Sequence, residues 1–141
     1  MTHHVRVLII GGGAMGVSAL YHLAKLGWSD IALVEMNELT AGSTWHAAGL
    51  CTHFAHNLTI QAMRAHSVRL YSGELEAETG SPVSFHRSGA LRVTGSPDRM
   101  DEFRHVRGIG KFSGFDFNIL TPAELKEIYP LVELDGLIGA I

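Results

Sequence analysis

The sequence predicts an α/β protein that opens with a strand–helix–strand unit, and three observations predict it. Val5 to Ile10 (VRVLII) is a short, almost continuously apolar run, the pattern of a strand buried on both faces. Glycines at 11, 12, 13 and 16 follow at once, opening a segment with Val17, Leu20, Leu23, Ala24 and Leu26 at helical spacing. A second apolar run, Ile31 to Val34, comes after Gly27. Strand, helix and strand in that order make a parallel pair with a crossover helix.

The helix is expected over Ala14 to Leu26, with Gly27 as the residue that turns the chain out of it. From Leu39 to Thr44 apolar periodicity disappears and small and hydroxyl residues take over. Leu58 to Thr79 reads as a helix with an interrupted stripe of Ile60, Met63, Leu70, Tyr71 and Leu75, ending before Gly80. Pro82 to Phe85 and Ala90 to Thr94 read as two strands of a hairpin joined through Arg87-Ser88-Gly89. Ser96-Pro97 opens another helix, with Ser96 as cap, Pro97 at its first position and Asp98 near its positive end. Thr121 and Glu124 form a capping-box signature for a helix that stops before Pro130. Leu137 to Ile141 reads as a strand cut in mid-course.

The glycines carry the first chemistry. Gly11, Gly13 and Gly16 match G-x-G-x-x-G between a strand and a helix, the dinucleotide-binding pattern of Rossmann-like folds. Gly11 permits the tight turn, Gly13 lets backbone approach a pyrophosphate, and Gly16 lets the helix pack close to the strand. The amides and dipole at the helix start suit a diphosphate. Glu35 ends the second strand nineteen residues after Gly16, where a carboxylate accepts hydrogen bonds from ribose hydroxyls. An ordinary strand-to-helix turn with a solvated Glu35 would require all these spacings to coincide by chance.

The glycines do not choose between NAD and FAD. The stretch after Glu35 does: Ser43 and Thr44 hydroxyls and nearby amides fit an extended FAD better than the further βαβ unit of NAD enzymes. Within Gly42-Ser43-Thr44-Trp45-His46-Ala47-Ala48-Gly49-Leu50, small residues allow close backbone approach, and His46 is the one reactive nucleophile. The residues alone leave His46 two roles, a hydrogen bond to a flavin ring or a covalent bond to it.

The run ELTAGSTWHAAGL (Glu38 to Leu50), behind GGGAMGVSALYHLAKLGW, resembles the start of the dimethylglycine and sarcosine dehydrogenases of the D-amino-acid oxidase-like superfamily. Weaker likeness continues through His86 to Phe103 and Thr121 to Val132, so it covers nearly the whole chain. The resemblance implies a covalent bond from His46 to the flavin 8α carbon. It also implies FAD contacts at Ala14, Met15, Glu35, Met36 and all of Gly42 to Leu50. The activity implied is oxidation of an N-methyl amine to an iminium ion, with flavin as hydride acceptor. Electron-transfer flavoprotein or oxygen would reoxidise the flavin, and tetrahydrofolate binding is possible in a longer protein.

At 141 residues the chain is several times shorter than members of that family. The expectation is therefore a fragment: residues 1–57 as the first part of an FAD-binding domain, and 58–141 as a helical connection and the truncated beginning of an α+β substrate domain. The catalytic residues are expected downstream of Ile141. With 46% hydrophobic residues and little partner surface, such a piece is expected to be marginal or insoluble alone.

Composition excludes more than it assigns. A net charge of −3, with acids and bases interspersed, gives no footprint for nucleic acid. One cysteine, Cys51, excludes an internal disulfide framework. No apolar run approaches the roughly eighteen residues of a membrane span. The first strand begins almost at Met1, which leaves no room for a leader. A bacterial cytoplasmic protein is the expectation, or the mitochondrial matrix for a eukaryotic one.

The remaining polar residues take bland readings. His53, His56 and His66 lack a neighbouring acid or second cysteine, so no metal is expected. His3 and His4 read as a disordered end. Cys51 reads as a small buried residue and Arg92 as a structural strand arginine, although arginine in that place could also meet a substrate carboxylate. Two rivals remain. A noncatalytic relative, such as the regulatory subunit of pyruvate dehydrogenase phosphatase, would share the fold. An NAD-dependent dehydrogenase would bind nicotinamide reversibly and hold no flavin.

Overall fold

The computed structural model describes residues 4–141, so the expectation for His3 lies outside the described residues. The chain divides into two compact units, Met1–Leu50 and Cys51–Ile141.

In the first unit, strand β1 (Val7–Ile10) pairs in parallel with β2 (Ile31–Val34), Val7 opposite Ile31 and Ile10 opposite Val34. Helix α1 (Ala14–Lys25) makes the crossover. Its end is a Schellman motif: Gly27 sits at φ +86°, its amide donates to Ala24 O, and the Trp28 amide donates to Leu23 O. The expected stop at Gly27 is therefore a left-handed turn that glycine adopts without a Cβ penalty. The strand expected to be buried on both faces is not so within this unit. β1 has one neighbour in the two-stranded sheet, and Leu8 and Ile10 are 52% and 83% exposed.

In the second unit, helix α2 (Leu58–Arg69) is capped by the Asn57 side chain, which accepts from the Ile60 amide at 2.8 Å. The single helix expected over Leu58 to Thr79 is broken. A π-helical turn, Leu70–Glu74, separates α2 from α3 (Leu75–Thr79), because Gly73 sits at φ +153°. Gly80 ends α3 at φ +69°, as expected of a terminal glycine.

The hairpin expected between Pro82–Phe85 and Ala90–Thr94 is absent. Only Val93–Thr94 is a strand, β3, and its antiparallel partner is the distant β4 (Gly139–Ala140). Arg92 and Ile141 exchange both amide–carbonyl bonds at 2.9 Å, and Leu120 bridges the other edge of Ala140. Pro82 lacks an amide donor and Ser84 is held at φ +53°, so residues 82–85 cannot form a regular ladder. The Gly89 turn is real, at φ +79°, but it joins no paired strands.

Helix α4 (Pro97–Phe112) starts where expected, with Pro97 in its first turn and Ser96 in extended cap conformation. The Ser96 side chain, however, makes no capping bond. The Ser96 amide instead donates to Thr94 Oγ1 at 2.9 Å, which ties the end of β3 to the helix start. Helix α5 (Pro122–Ile128) carries the full capping box: Glu124 N donates to Thr121 Oγ1, and Thr121 N donates to Glu124 Oε2. The core joins Phe54, Met100, Phe103, Val106 and Ile141, with Phe117 and Ile119 packed against it. Aromatic edges meet faces there, the Phe54 and Phe103 rings lying 6.1 Å apart at 88°.

Candidate functional site

The chemistry-bearing residues of the first unit converge on the turn between β1 and α1. Gly11 crosses that turn at φ +105°, and its amide donates to Val34 O at 2.8 Å, tying the turn to the end of β2. A Cβ on Gly16 would run into Gly11 O and the Ile9 side chain, so helix and strand approach as closely as glycine allows. On Gly13 a Cβ would lie 3.0 Å from Thr44 Oγ1.

Glu35 closes the turn from the side. Its Oε2 accepts from the Gly12 amide at 2.6 Å and its Oε1 from the Asn37 amide at 2.9 Å. Those amide bonds, Asn37 first and Gly12 second, hold the carboxyl below its ordinary pKa by favouring the charged form. Each oxygen keeps a second lone pair, which is what a ribose diol needs.

The loop after Met36 folds back over the glycines. The Thr40 amide donates to Gly12 O at 3.0 Å, with Thr40 itself at φ +68°. Thr44 Oγ1 accepts from the Ala14 amide at 2.9 Å. Thr40 O in turn receives the Trp45 amide at 3.1 Å. Residues 11–16, 35 and 40–45 are thus one hydrogen-bonded body. Met15, Met36 and Trp45 stand around it 87%, 91% and 77% exposed, with Ser43, Ala47, Ala48, Gly49 and Leu50 also exposed.

His46 is exposed, and its Nδ1 lies 3.0 Å from Gly42 O. A carbonyl only accepts, so the proton belongs on Nδ1 and the lone pair on Nε2. In the uncharged ring, that tautomer leaves on Nε2 the lone pair a nucleophile needs.

These residues fit an adenine dinucleotide. The turn is a cradle that side chains would fill, and the Gly13 and Met15 amides at the helix start have no hydrogen-bond partner among the described residues. Gly12 belongs to the cradle as well, although the pattern treats it as free. A Cβ there would come 2.5 Å from Leu39 Cδ2 and 3.1 Å from Glu35 Cβ. Asn37 and Thr40 escaped the sequence reading because both act through backbone amides, which side-chain type does not reveal.

The other singled-out residues lie in the second unit. The His53 ring stacks on Phe115 at 4.0 Å, and burial, aided by the Arg87 charge, holds its pKa below the ordinary value. His56 Nε2 meets Glu102 Oε1 at 2.5 Å, an acid the sequence reading did not place near it, since it lies 46 positions further along the chain. Among the described residues, no three His, Cys, Asp or Glu side chains are arranged to hold a metal. Cys51 is exposed rather than buried as expected. Arg92 lies with its guanidinium 4.0 Å over the Phe54 ring. Among the described residues, no helix is long and apolar enough to cross a membrane.

Residues 6–141 match the family described as FAD dependent oxidoreductase. Dimethylglycine dehydrogenase of Rattus norvegicus mitochondria is 42% identical over 134 residues, covering 95% of this chain and 16% of that protein. Human mitochondrial sarcosine dehydrogenase is 41% identical over 135 residues, covering 96% of this chain and 15% of that protein. Among solved structures, the L-proline dehydrogenase of P. horikoshii superposes with a TM-score of 0.87 at 26% identity, covering 99% of this chain and 36% of that one. The chain therefore spans about a sixth of the length of the curated relatives it matches.

Proposed function

The chain belongs to the FAD-dependent oxidoreductase family, and on that premise we propose that the protein carrying it oxidises small N-methyl amines of the dimethylglycine or sarcosine type. The closed body of glycine turn, Glu35 and Thr44 beside His46 supports the cofactor part of this reading, and the 42% and 41% identity to dimethylglycine and sarcosine dehydrogenases carries the substrate class. Gly11, Gly13, Ala14, Met15 and Gly16 face the diphosphate, Glu35 and Met36 the ribose and adenine side, and Gly42 to Leu50 the remainder of the cofactor. Residues 1–57 are the corresponding part of the FAD domain, and 58–141 begin the substrate domain.

His46 is the covalent anchor. With Nδ1 facing Gly42 O, Nε2 is the ring nitrogen that would carry the flavin 8α carbon. The cofactor supplies a two-electron acceptor for the hydride leaving the N-methyl carbon. What this chain contributes is binding and orientation: Glu35 grips from the ribose side, and the Gly42–Leu50 backbone lets the ligand approach.

The amine would be left as an iminium ion, which water hydrolyses to formaldehyde, the demethylated amine and a proton, or which tetrahydrofolate captures by taking its one-carbon unit and releasing the same amine. The residues that handle that chemistry belong to the rest of the longer protein. Electron-transfer flavoprotein or oxygen takes the electrons onward. A bacterial member of this type works in the cytoplasm and a eukaryotic one in the mitochondrial matrix.

Anaerobic titration of the full-length protein tests the substrate class. Dimethylglycine or sarcosine should bleach the visible flavin band, and glycine should not. A flavin that stays oxidised with every N-methyl amine but bleaches with an unmethylated amino acid would overturn it.

A further inference from the structure

We propose that the second unit carries an anion subsite, centred on Arg92 and Arg64, that takes a small monocarboxylate with a short apolar tail. The site is a cleft of about 170 Å³ whose walls include Phe54, His56, Asn57, Ile60, Arg64 and Arg92. No carboxylate lines it, so two permanent cations face one depression without a neutralising partner in its walls.

Arg92 is preset for the task. Its guanidinium carbon lies 4.0 Å from the centre of the Phe54 ring, a cation–π contact that uses the face of the group and not its N–H donors. It makes no ion pair among the described residues. The backbone on which it stands is clamped by both bonds to Ile141. Arg64 is held from the other side, one Nη1–H donating to Phe54 O, and its remaining donors stay available. Glu102, which meets the cleft's His56, is already engaged: Oε1 with His56 and Oε2 with Arg99 at 2.7 Å. Glu102 lines a different cleft together with Arg92 and Arg99, and its presence there makes that cleft the poorer anion site.

The walls decide the ligand. Phe54 and Ile60 are apolar, and a strongly hydrated dianion such as phosphate would lose water against them. A monocarboxylate accepts a bidentate pair of N–H bonds from one arginine and places its tail on those walls.

The test uses the full-length protein and residue-resolved modification of arginine by phenylglyoxal, read by peptide mass spectrometry. Exposed Arg104, paired with Asp101, serves as the internal control. At about ten times its dissociation constant, propionate should slow modification of Arg92 and Arg64 about tenfold, with Arg104 unchanged and sodium chloride at equal ionic strength ineffective. In Arg92→Gln, propionate should no longer protect Arg64. Equal protection by chloride, protection by inorganic phosphate alone, or an Arg92 that never reacts because further chain covers it would each overturn the proposal. Flavin content is read on the same samples, so failure here is distinct from failure of the FAD reading.

Discussion

Gly12, Gly13 and Gly16 stand within six residues, yet each meets a different obstacle. Beyond Gly16 is backbone, Gly11 O, which cannot move aside without breaking the turn. Beyond Gly12 is the end of the Leu39 side chain and the Glu35 stem. Gly16→Ala should therefore abolish flavin incorporation in the full-length protein. Gly12→Ala should reduce it only in part, since a flexible leucine can shift. Flavin-to-protein ratios after purification check the ranking, and equal retention in both variants would contradict it.

Glu35 adds a pH dependence whose direction is fixed. The Asn37 and Gly12 amides lower its folded pKa, so its contribution is complete above the unfolded value and is lost as pH falls through the folded one, below the ordinary carboxylate range. A Glu35→Gln variant keeps an acceptor oxygen but not the charge. Its affinity for the FAD adenosine portion should be weaker at neutral pH and flat where the parent's falls in acid. Adenosine-diphosphate competition measured across that range reads both effects. A parallel fall in the two proteins would assign the titration to another group.

At the scale of elements, legibility followed sequence distance. Helix α5 was readable because its cap is local: Thr121 and Glu124 satisfy each other across three residues. Thr121→Ala should cost about 1 kcal/mol of local stability, seen as faster amide exchange over residues 123–128 with α4 unchanged. The expected hairpin failed for the opposite reason. Val93 and Thr94 have strand character, but which segment they pair with is decided by Gly139–Ala140, some forty-five residues away. Alternation of side chains reports that a strand exists and is silent on its partner. The break at Gly73 was legible in principle, since a glycine inside a helical run costs about 1 kcal/mol relative to alanine and marks a bend.

The same division holds for the site. The turn glycines and Glu35 were singled out by residue type and spacing, and the structure brings them together; the role given to His46 came from the resemblance. The bond from the Ala14 amide to Thr44 Oγ1, across thirty residues, and the Thr40 amide to Gly12 O needed coordinates.

At the scale of the molecule, two compact units of unequal kind share one chain. The first carries the glycine turn and the loop folded over it on a two-stranded sheet, with Leu8, Ile10, Met15, Met36 and Trp45 exposed. The second builds its own aromatic core around Phe54, Phe103 and Val106. A two-stranded sheet is a poor stand-alone structure. The first unit's stability should thus depend on its ligand and on the remaining length of the protein.

The central claim is that His46 carries the flavin. Full-length protein precipitated with acid, washed and digested should yield one flavin-bearing peptide, and its mass should locate the attachment at His46; His46→Ala should release all flavin into the supernatant. Flavin wholly in the supernatant of the parent protein would contradict the covalent anchor and leave a noncovalent FAD enzyme. A well-folded parent with no flavin at all would contradict the amine-oxidising function itself.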